Sequence, residues 1–302
     1  MTPPIYNHER PWIVLIGGGH CAGKTSVAKE IRRRLTDMST TRLPLDVHIV
    51  SLADYERERD PDAHSFDLNS IRAALYEAGP DSRNIQEYRE NQVDDINKSP
   101  YTPKRFDFGR LLRDLKNKRG GFSGTKRGAS LSSGTKQFRG CTIVPPTVVI
   151  VEGLYALYNA EVRAEAAVKI FVDLDGDVRL GRWILRDAPN ETGVFIAICN
   201  EYINWCRPEM ERYIYSTKDA ADVILPQGNE TESVKLVANG IYDRVYKEFV
   251  EFLAEERGGK MAGIESDEFL SPVVTSIVRN EAVPMLSLAE EAGADQQFYD
   301  VN

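Results

Sequence analysis

The sequence predicts an α/β fold in which a mainly parallel sheet lies between two layers of helices. Strand-like apolar runs alternate with amphipathic helix-like runs along most of the chain, the pattern of parallel α/β proteins. The longest strand-like runs lack the polar–apolar alternation of a sheet with one wet face. A glycine-rich turn joins the first run to the first helix.

Trp12–Ile16 is a continuous apolar run ending at glycines and reads as the first strand. Lys24–Leu35 follows as a helix, with Val27, Ala28, Ile31 and Leu35 on one side. Val47–Leu52 is a second strand and Leu68–Ala78 a helix. Thr147–Val151 is a third strand, expected to be buried on both faces, and Val168–Asp173 a fourth. The helix Asp177–Asp187, the strand Ala221–Pro226 and a long helix from about Glu232 to Glu255 complete the series. Gly258-Gly259 supplies the usual stop signal. These elements imply an arm over residues 1–11, a main α/β domain over 12–257 and an acidic extension over 258–302.

Composition narrows the class. An apolar share of 42% and a charged share of 28% are those of a soluble globular protein, which excludes a disordered chain, a collagen or a disulfide scaffold. No apolar run reaches the ~18 residues of a membrane span. Residues 1–10 lack the layout of a secretory signal, and the four cysteines have no metal-ligand spacing. Free thiols in the cytoplasm are the expectation. The net charge of −8 argues against a generic nucleic-acid binder. One segment runs the other way: residues 104–139 hold eleven Lys/Arg against two Asp, with SGTK occurring twice among glycines and serines. It reads as a basic Gly/Ser-rich insertion over about residues 109–141.

Gly18-Gly19-His20-Cys21-Ala22-Gly23-Lys24-Thr25 fits the phosphate-binding pattern G-x-x-x-x-G-K-[ST], between a strand and a helix as that motif requires. Its glycines let the backbone N–H groups turn toward phosphate oxygens, and the helix start at Thr25 and Ser26 adds partial positive charge. Lys24 reaches the terminal phosphates, and the Thr25 hydroxyl joins the shell of a Mg²⁺ ion. The fold is then that of a P-loop NTPase, a three-layer α/β/α sandwich with a helical lid, binding a nucleoside triphosphate. No Asn-Lys-x-Asp for guanine is present, which excludes the usual GTPases.

A kinase also needs a base for the attacking hydroxyl, a carboxylate for the metal and cations for the moving phosphoryl group. Asp54 and Glu152 follow the second and third strands, where open α/β sheets place their sites. Arg179, Arg182 and Arg186 share one side of their helix and could face phosphates.

These residues resemble the uridine kinase family, within the phosphoribulokinase/uridine kinase group, over about residues 12–245. The resemblance rests on the phosphate loop, Asp60-Pro-Asp-Ala63, Phe106-Asp-Phe108, Val149-Ile-Val-Glu-Gly-Leu154, residues 171–180, Leu185-Arg-Asp187, residues 208–218 and residues 221–228. It implies transfer of the γ-phosphoryl group of ATP, with Mg²⁺, to a small-molecule hydroxyl, typically the 5′-hydroxyl of a pyrimidine ribonucleoside. In that reading Asp54 is the general base with Tyr55 beside it, and Glu152 sits by metal and nucleophile. Lys24, Arg182 and Arg186 hold phosphates, Asp60 or Asp62 holds substrate hydroxyls, and Phe106 and Asp107 line the base pocket. Homo-oligomers are common in the family.

Four departures stand out. The aromatic-Asp-Phe motif begins with Phe106 instead of Tyr, and Arg110 and Leu111 occupy the region of the family's base-pocket His. Glu191-Thr-Gly-Val194 replaces Glu-Arg-Gly-Arg, and Trp183 stands in place of an Arg. Three alternatives stay open at this point: a kinase for another small acceptor, a nucleotide-binding regulatory protein without transfer activity, and a kinase for nucleic-acid 5′-hydroxyls.

Overall fold

The structure is a computed structural model and describes residues 5–7, 10–41, 43–58, 66–78, 101–116, 135–138, 141–226 and 231–256. The chain forms two compact units, residues 1–249 and 250–302, the second described only to Glu256. Residues 258–302 lie outside the described residues, as does most of the basic segment.

In chain order the strands are β1 (Ile5–Asn7), β2 (Trp12–Gly18), β3 (Asp46–Ser51), β4 (Lys136–Phe138), β5 (Cys141–Val144), β6 (Thr147–Glu152), β7 (Val168–Val172) and β8 (Val223–Leu225). The helices are α1 (Lys24–Thr41), α2 (Leu68–Ala78), α3 (Phe108–Lys116), α4 (Ala160–Ala164), α5 (Gly176–Asp187), α6 (Thr192–Glu201) and α7 (Thr231–Glu256).

Five strands form one all-parallel sheet in the order β3-β6-β2-β7-β8. Every residue of β2 is buried, as is β6 from Val148 onward, so continuous apolar runs replace alternation. The chain moves from β2 out to β3, returns through β6, and then crosses to β7 and β8 on the other side of β2. That reversal makes the C-terminal end of β2 the switch point where open α/β sheets open a crevice. Glu152 lies opposite both Ile16 of β2 and Ser51 of β3, so β6 delivers its last residue into the crevice.

On α1, Val27, Ala28, Ile31 and Leu35 are fully buried on one face. The helix continues beyond Leu35 to Thr41, and Arg33 pairs with Glu30 and Asp37 on its exposed side. β8 is shorter than the run Ala221–Pro226, because the Asp222 carboxylate accepts the Lys169 N–H at 2.8 Å and takes over one end of the ladder. On α7, Val234, Ala238, Ile241, Tyr242, Val245 and Phe249 are buried, and the Tyr242 hydroxyl donates to the Leu43 carbonyl.

Two features have no counterpart in the sequence reading. A second, three-stranded sheet orders β1-β5-β4, so the first and last parts of what reads as arm and insertion are strands. The other is a helical run from α6 to Ala220 that widens into π turns at Tyr202–Cys206 and Met210–Ile214, on either side of the single turn Arg207–Glu209. The Arg207 N–H bonds to Tyr202 O and the Tyr215 N–H to Met210 O, five residues back in each case. Such turns rotate the buried face of a helix.

Leu15 on β2 is fully buried in the cluster beneath the site, whereas Leu236 is 74% exposed. Leu15→Ala is expected to cost about 3 kcal/mol in urea denaturation. Leu236→Ala is expected to stay within about 0.5 kcal/mol of the parent.

Candidate active site

The phosphate loop closes between β2 and α1 under tight steric limits. Gly18 has φ +140° and Gly23 φ +102°, backbone conformations that L side chains rarely adopt. A Cβ at Gly18 would lie 2.4 Å from Val172 O, and one at Gly19 2.5 Å from the Arg179 guanidinium. Cys21 also has positive φ, Ala22 is fully buried, and its N–H returns to Gly19 O. Ser26 is exposed in the first turn of α1.

Lys24 lies inside this loop and donates to Gly19 O at 2.6 Å. Burial pushes its pKa down from 10.5 to about 8, opposed chiefly by the Glu152 carboxylate. Glu152 is buried, and its Oε2 accepts the Thr25 hydroxyl at 3.2 Å. A hydroxyl and a carboxylate oxygen side by side are ligands suited to a hard divalent cation, so this pair fits Mg²⁺. A cavity of about 450 Å³ opens over the loop, lined by His20, Cys21, Lys24, Thr25, Arg182 and Arg186 among others.

The structure divides the three arginines of α5 instead of aiming them together. Arg179 is buried against Gly19; its Nε donates to Leu174 O, and its Nη1 has no hydrogen-bond partner among the described residues. Arg182 reaches Ala22 O at 3.3 Å. Arg186 is largely exposed and forms a two-point pair with Asp187, which holds that carboxyl below the usual carboxylate range.

On the acceptor side, Asp54 is half-buried in a 3₁₀ turn, Leu52–Tyr55, directly after β3. Residues 105–107 run antiparallel to residues 55–57, joined by Arg57 N–H to Arg105 O and Asp107 N–H to Tyr55 O. This brings Asp54, Tyr55, Phe106 and Asp107 onto neighbouring backbone. Their side chains are already committed in part. Tyr55 is fully buried and donates to Asp114; Phe106 is buried beside Tyr155; Asp107 accepts the Arg110 N–H at the start of α3. Asp60 and Asp62 lie outside the described residues.

The departures from the family pattern have packing reasons. Trp183 lies 6.3 Å from His20 in a near-parallel stack and meets Phe66 edge-on, while Val194 is buried in the same cluster. Leu111 is fully buried in the main core. Arg72 of α2 donates to both Glu191 carboxylate oxygens and to Asp187 O, clasping the start of α6.

Sequence reasoning missed a buried polar group beneath the loop. His20 Nε2 lies 2.5 Å from Glu209 Oε2, and the Tyr155 hydroxyl donates to Glu209 Oε1. Tyr101 donates to Glu201, which is also buried. His20 and Glu209 are 189 positions apart, and no local pattern announces their meeting.

The low pKa of Lys24 gives a signed test. The unfolded chain keeps this proton up to about pH 10.5, whereas the folded chain releases it near pH 8. Stability from this group is therefore lowest below pH 8 and rises as pH increases toward 10.5. Any stability advantage of Lys24→Met over the parent is expected to shrink by on the order of 3 kcal/mol from pH 7 upward across that window. Urea denaturation of both ligand-free proteins measures it; a pH-independent difference contradicts the buried-ammonium account.

Comparison with known proteins agrees with this geometry. The sequence profile described as Phosphoribulokinase / Uridine kinase family matches residues 13–234. The uridine kinase of Macrococcus caseolyticus is 28% identical over 216 residues, covering 72% of this chain and 88% of its own. Uridine-cytidine kinase 2-B of Danio rerio is 26% identical over 237 residues, covering 78% of this chain and 80% of its own. With its loop, its two strand-end carboxylates and a match over most of its length, the chain belongs to the phosphoribulokinase/uridine kinase family.

Proposed function

We propose that the chain is an ATP-dependent kinase that transfers the γ-phosphoryl group to the 5′-hydroxyl of a pyrimidine ribonucleoside. The observation that carries this reading is the contact of Lys24, Thr25 and Glu152 around one loop at the sheet's switch point. The curated relatives named uridine kinase and uridine-cytidine kinase supply the acceptor class.

In this mechanism the backbone of residues 18–25 and the Lys24 ammonium bind the phosphates, and Lys24 exchanges Gly19 O for phosphate oxygens. Thr25 and Glu152 would hold Mg²⁺, which when bound neutralises charge on the terminal phosphates. Asp54 orients the acceptor hydroxyl and takes its proton as the new O–P bond forms and the bond to the ADP oxygen breaks. Arg182 and Arg186 stand at the edge of the cavity, where guanidinium forks match phosphoryl oxygens. Arg186 must exchange Asp187 for phosphate to take part.

A cytoplasmic setting and homo-oligomeric assembly belong to the same proposal. Cys21, Cys199 and Cys206 are free thiols, which supports a reducing compartment. Among the described residues no helix is long and apolar enough to cross a membrane.

The test is a transfer assay with ATP and Mg²⁺ against uridine, cytidine and a panel of small polyols. Uridine or cytidine is expected to accept phosphate, and Lys24→Ala to abolish the signal. Asp54→Asn is expected to lower kcat by at least about 100-fold with little change in ATP affinity. A panel that stays silent while ATP still binds would favour the regulatory reading. Unchanged turnover in Asp54→Asn would remove that residue from the base role.

A further inference from the structure

One cluster beneath the loop exceeds what phosphoryl transfer requires. His20, Cys206 and Glu209 each present a metal-ligating atom, and these atoms lie within 4.8 Å of one another. Cys206 is fully buried and Glu209 nearly so, while His20 is partly exposed to the cavity over the loop. Imidazole, thiol and carboxylate together are the donors of a borderline-soft cation such as Zn²⁺, in contrast to the all-oxygen pair Thr25–Glu152.

We propose that His20 Nε2, Cys206 Sγ and Glu209 Oε2 form a transition-metal site, specific for a zinc-like divalent ion, that ties the phosphate loop to the helical run after α6. The surroundings are arranged as such sites need. Cys206 ends the first π turn and Glu209 ends the turn after it, so the two lie three residues apart on the same side of the run. The Tyr155 hydroxyl holds Glu209 through Oε1 and leaves Oε2 facing His20. The stack on Trp183 fixes the imidazole plane. Support of this kind is what orients ligands in metal sites.

A hydrogen bond between His20 and Glu209 occupies two of the three groups without a metal. Burial pushes the Cys206 thiol pKa up, so the ligand-free protein holds the neutral thiol there. Binding displaces the Cys206 thiol proton, which leaves to solvent as the metal–sulfur bond forms, while the imidazole binds through the Nε2 lone pair with its N–H at Nδ1 and the Glu209 carboxylate through Oε2. A coordinated thiol loses its proton outright.

The experiment is titration of the full-length, nucleotide-free protein with Co²⁺ as spectroscopic probe. One equivalent is expected to produce a thiolate-to-cobalt band in the near ultraviolet and the intense visible bands of a four-coordinate ion. Cys206→Ser, which keeps the side chain's size, is expected to remove the thiolate band, while Cys21→Ser keeps it. Tyr155→Phe deletes one hydroxyl and is expected to weaken binding by ~10–100-fold. A large excess of Mg²⁺ is expected not to displace the cobalt. Three results overturn the proposal: no thiolate band in the parent, a band that survives Cys206→Ser, or displacement by Mg²⁺, which would put the ion at Thr25 and Glu152. Zn²⁺ competing away the cobalt spectrum at one equivalent completes the expected pattern.

Discussion

The architecture depends on a loop that has no room for side chains at Gly18 and Gly19. Gly18 is pressed against the Val172 carbonyl and Gly19 against the Arg179 guanidinium, so β7 and α5 form the wall behind the phosphates. Backbone N–H groups can face a triphosphate only while that wall holds. Part of that wall is a buried arginine whose Nη1 has no hydrogen-bond partner among the described residues. The Arg179 guanidinium sits over the Tyr202 ring at 5.9 Å and spends its bulk on closing space, as a long side chain can.

Packed around the loop are charges that a folded protein ordinarily keeps in water. Lys24, Glu152, Arg179, Glu201 and Glu209 are all buried. Glu152, Glu201 and Glu209 each accept from a hydroxyl, Arg179 donates to the Leu174 carbonyl, and the Lys24 ammonium faces Glu152, yet the Lys24 pKa is still lowered. Pairing with a bound polyanion would favour the ammonium form of Lys24.

Much of this was legible in the sequence where the determinants are local. The run Trp12–Ile16, the glycines after it and the four-residue spacing on α1 fixed strand, loop and helix together, because all three act within thirty residues. Glu152 and Asp54 could be placed because they follow strands. The second sheet was not legible: β1, β4 and β5 have three or four residues each, too few to show a period. Nor were the π turns after α6: they keep the buried face at a four-residue spacing, Ile198, Tyr202, Cys206, Met210 and Ile214, but nothing local says that Cys206 and Glu209 meet a loop residue almost two hundred positions earlier. The three arginines of α5 share a side on paper, but neighbours in space decide what each one touches.

The clasp between Arg72 and Glu191 is of another kind from the interactions at the loop. Both side chains are substantially exposed, at 39% and 43%, so dissolved ions compete for them and the grip of α2 on α6 weakens as ionic strength rises. Lys24 and Glu152 are shielded from that competition. The packing of α2 against α6 and the buried Lys24–Glu152 pair thus answer differently to ionic strength.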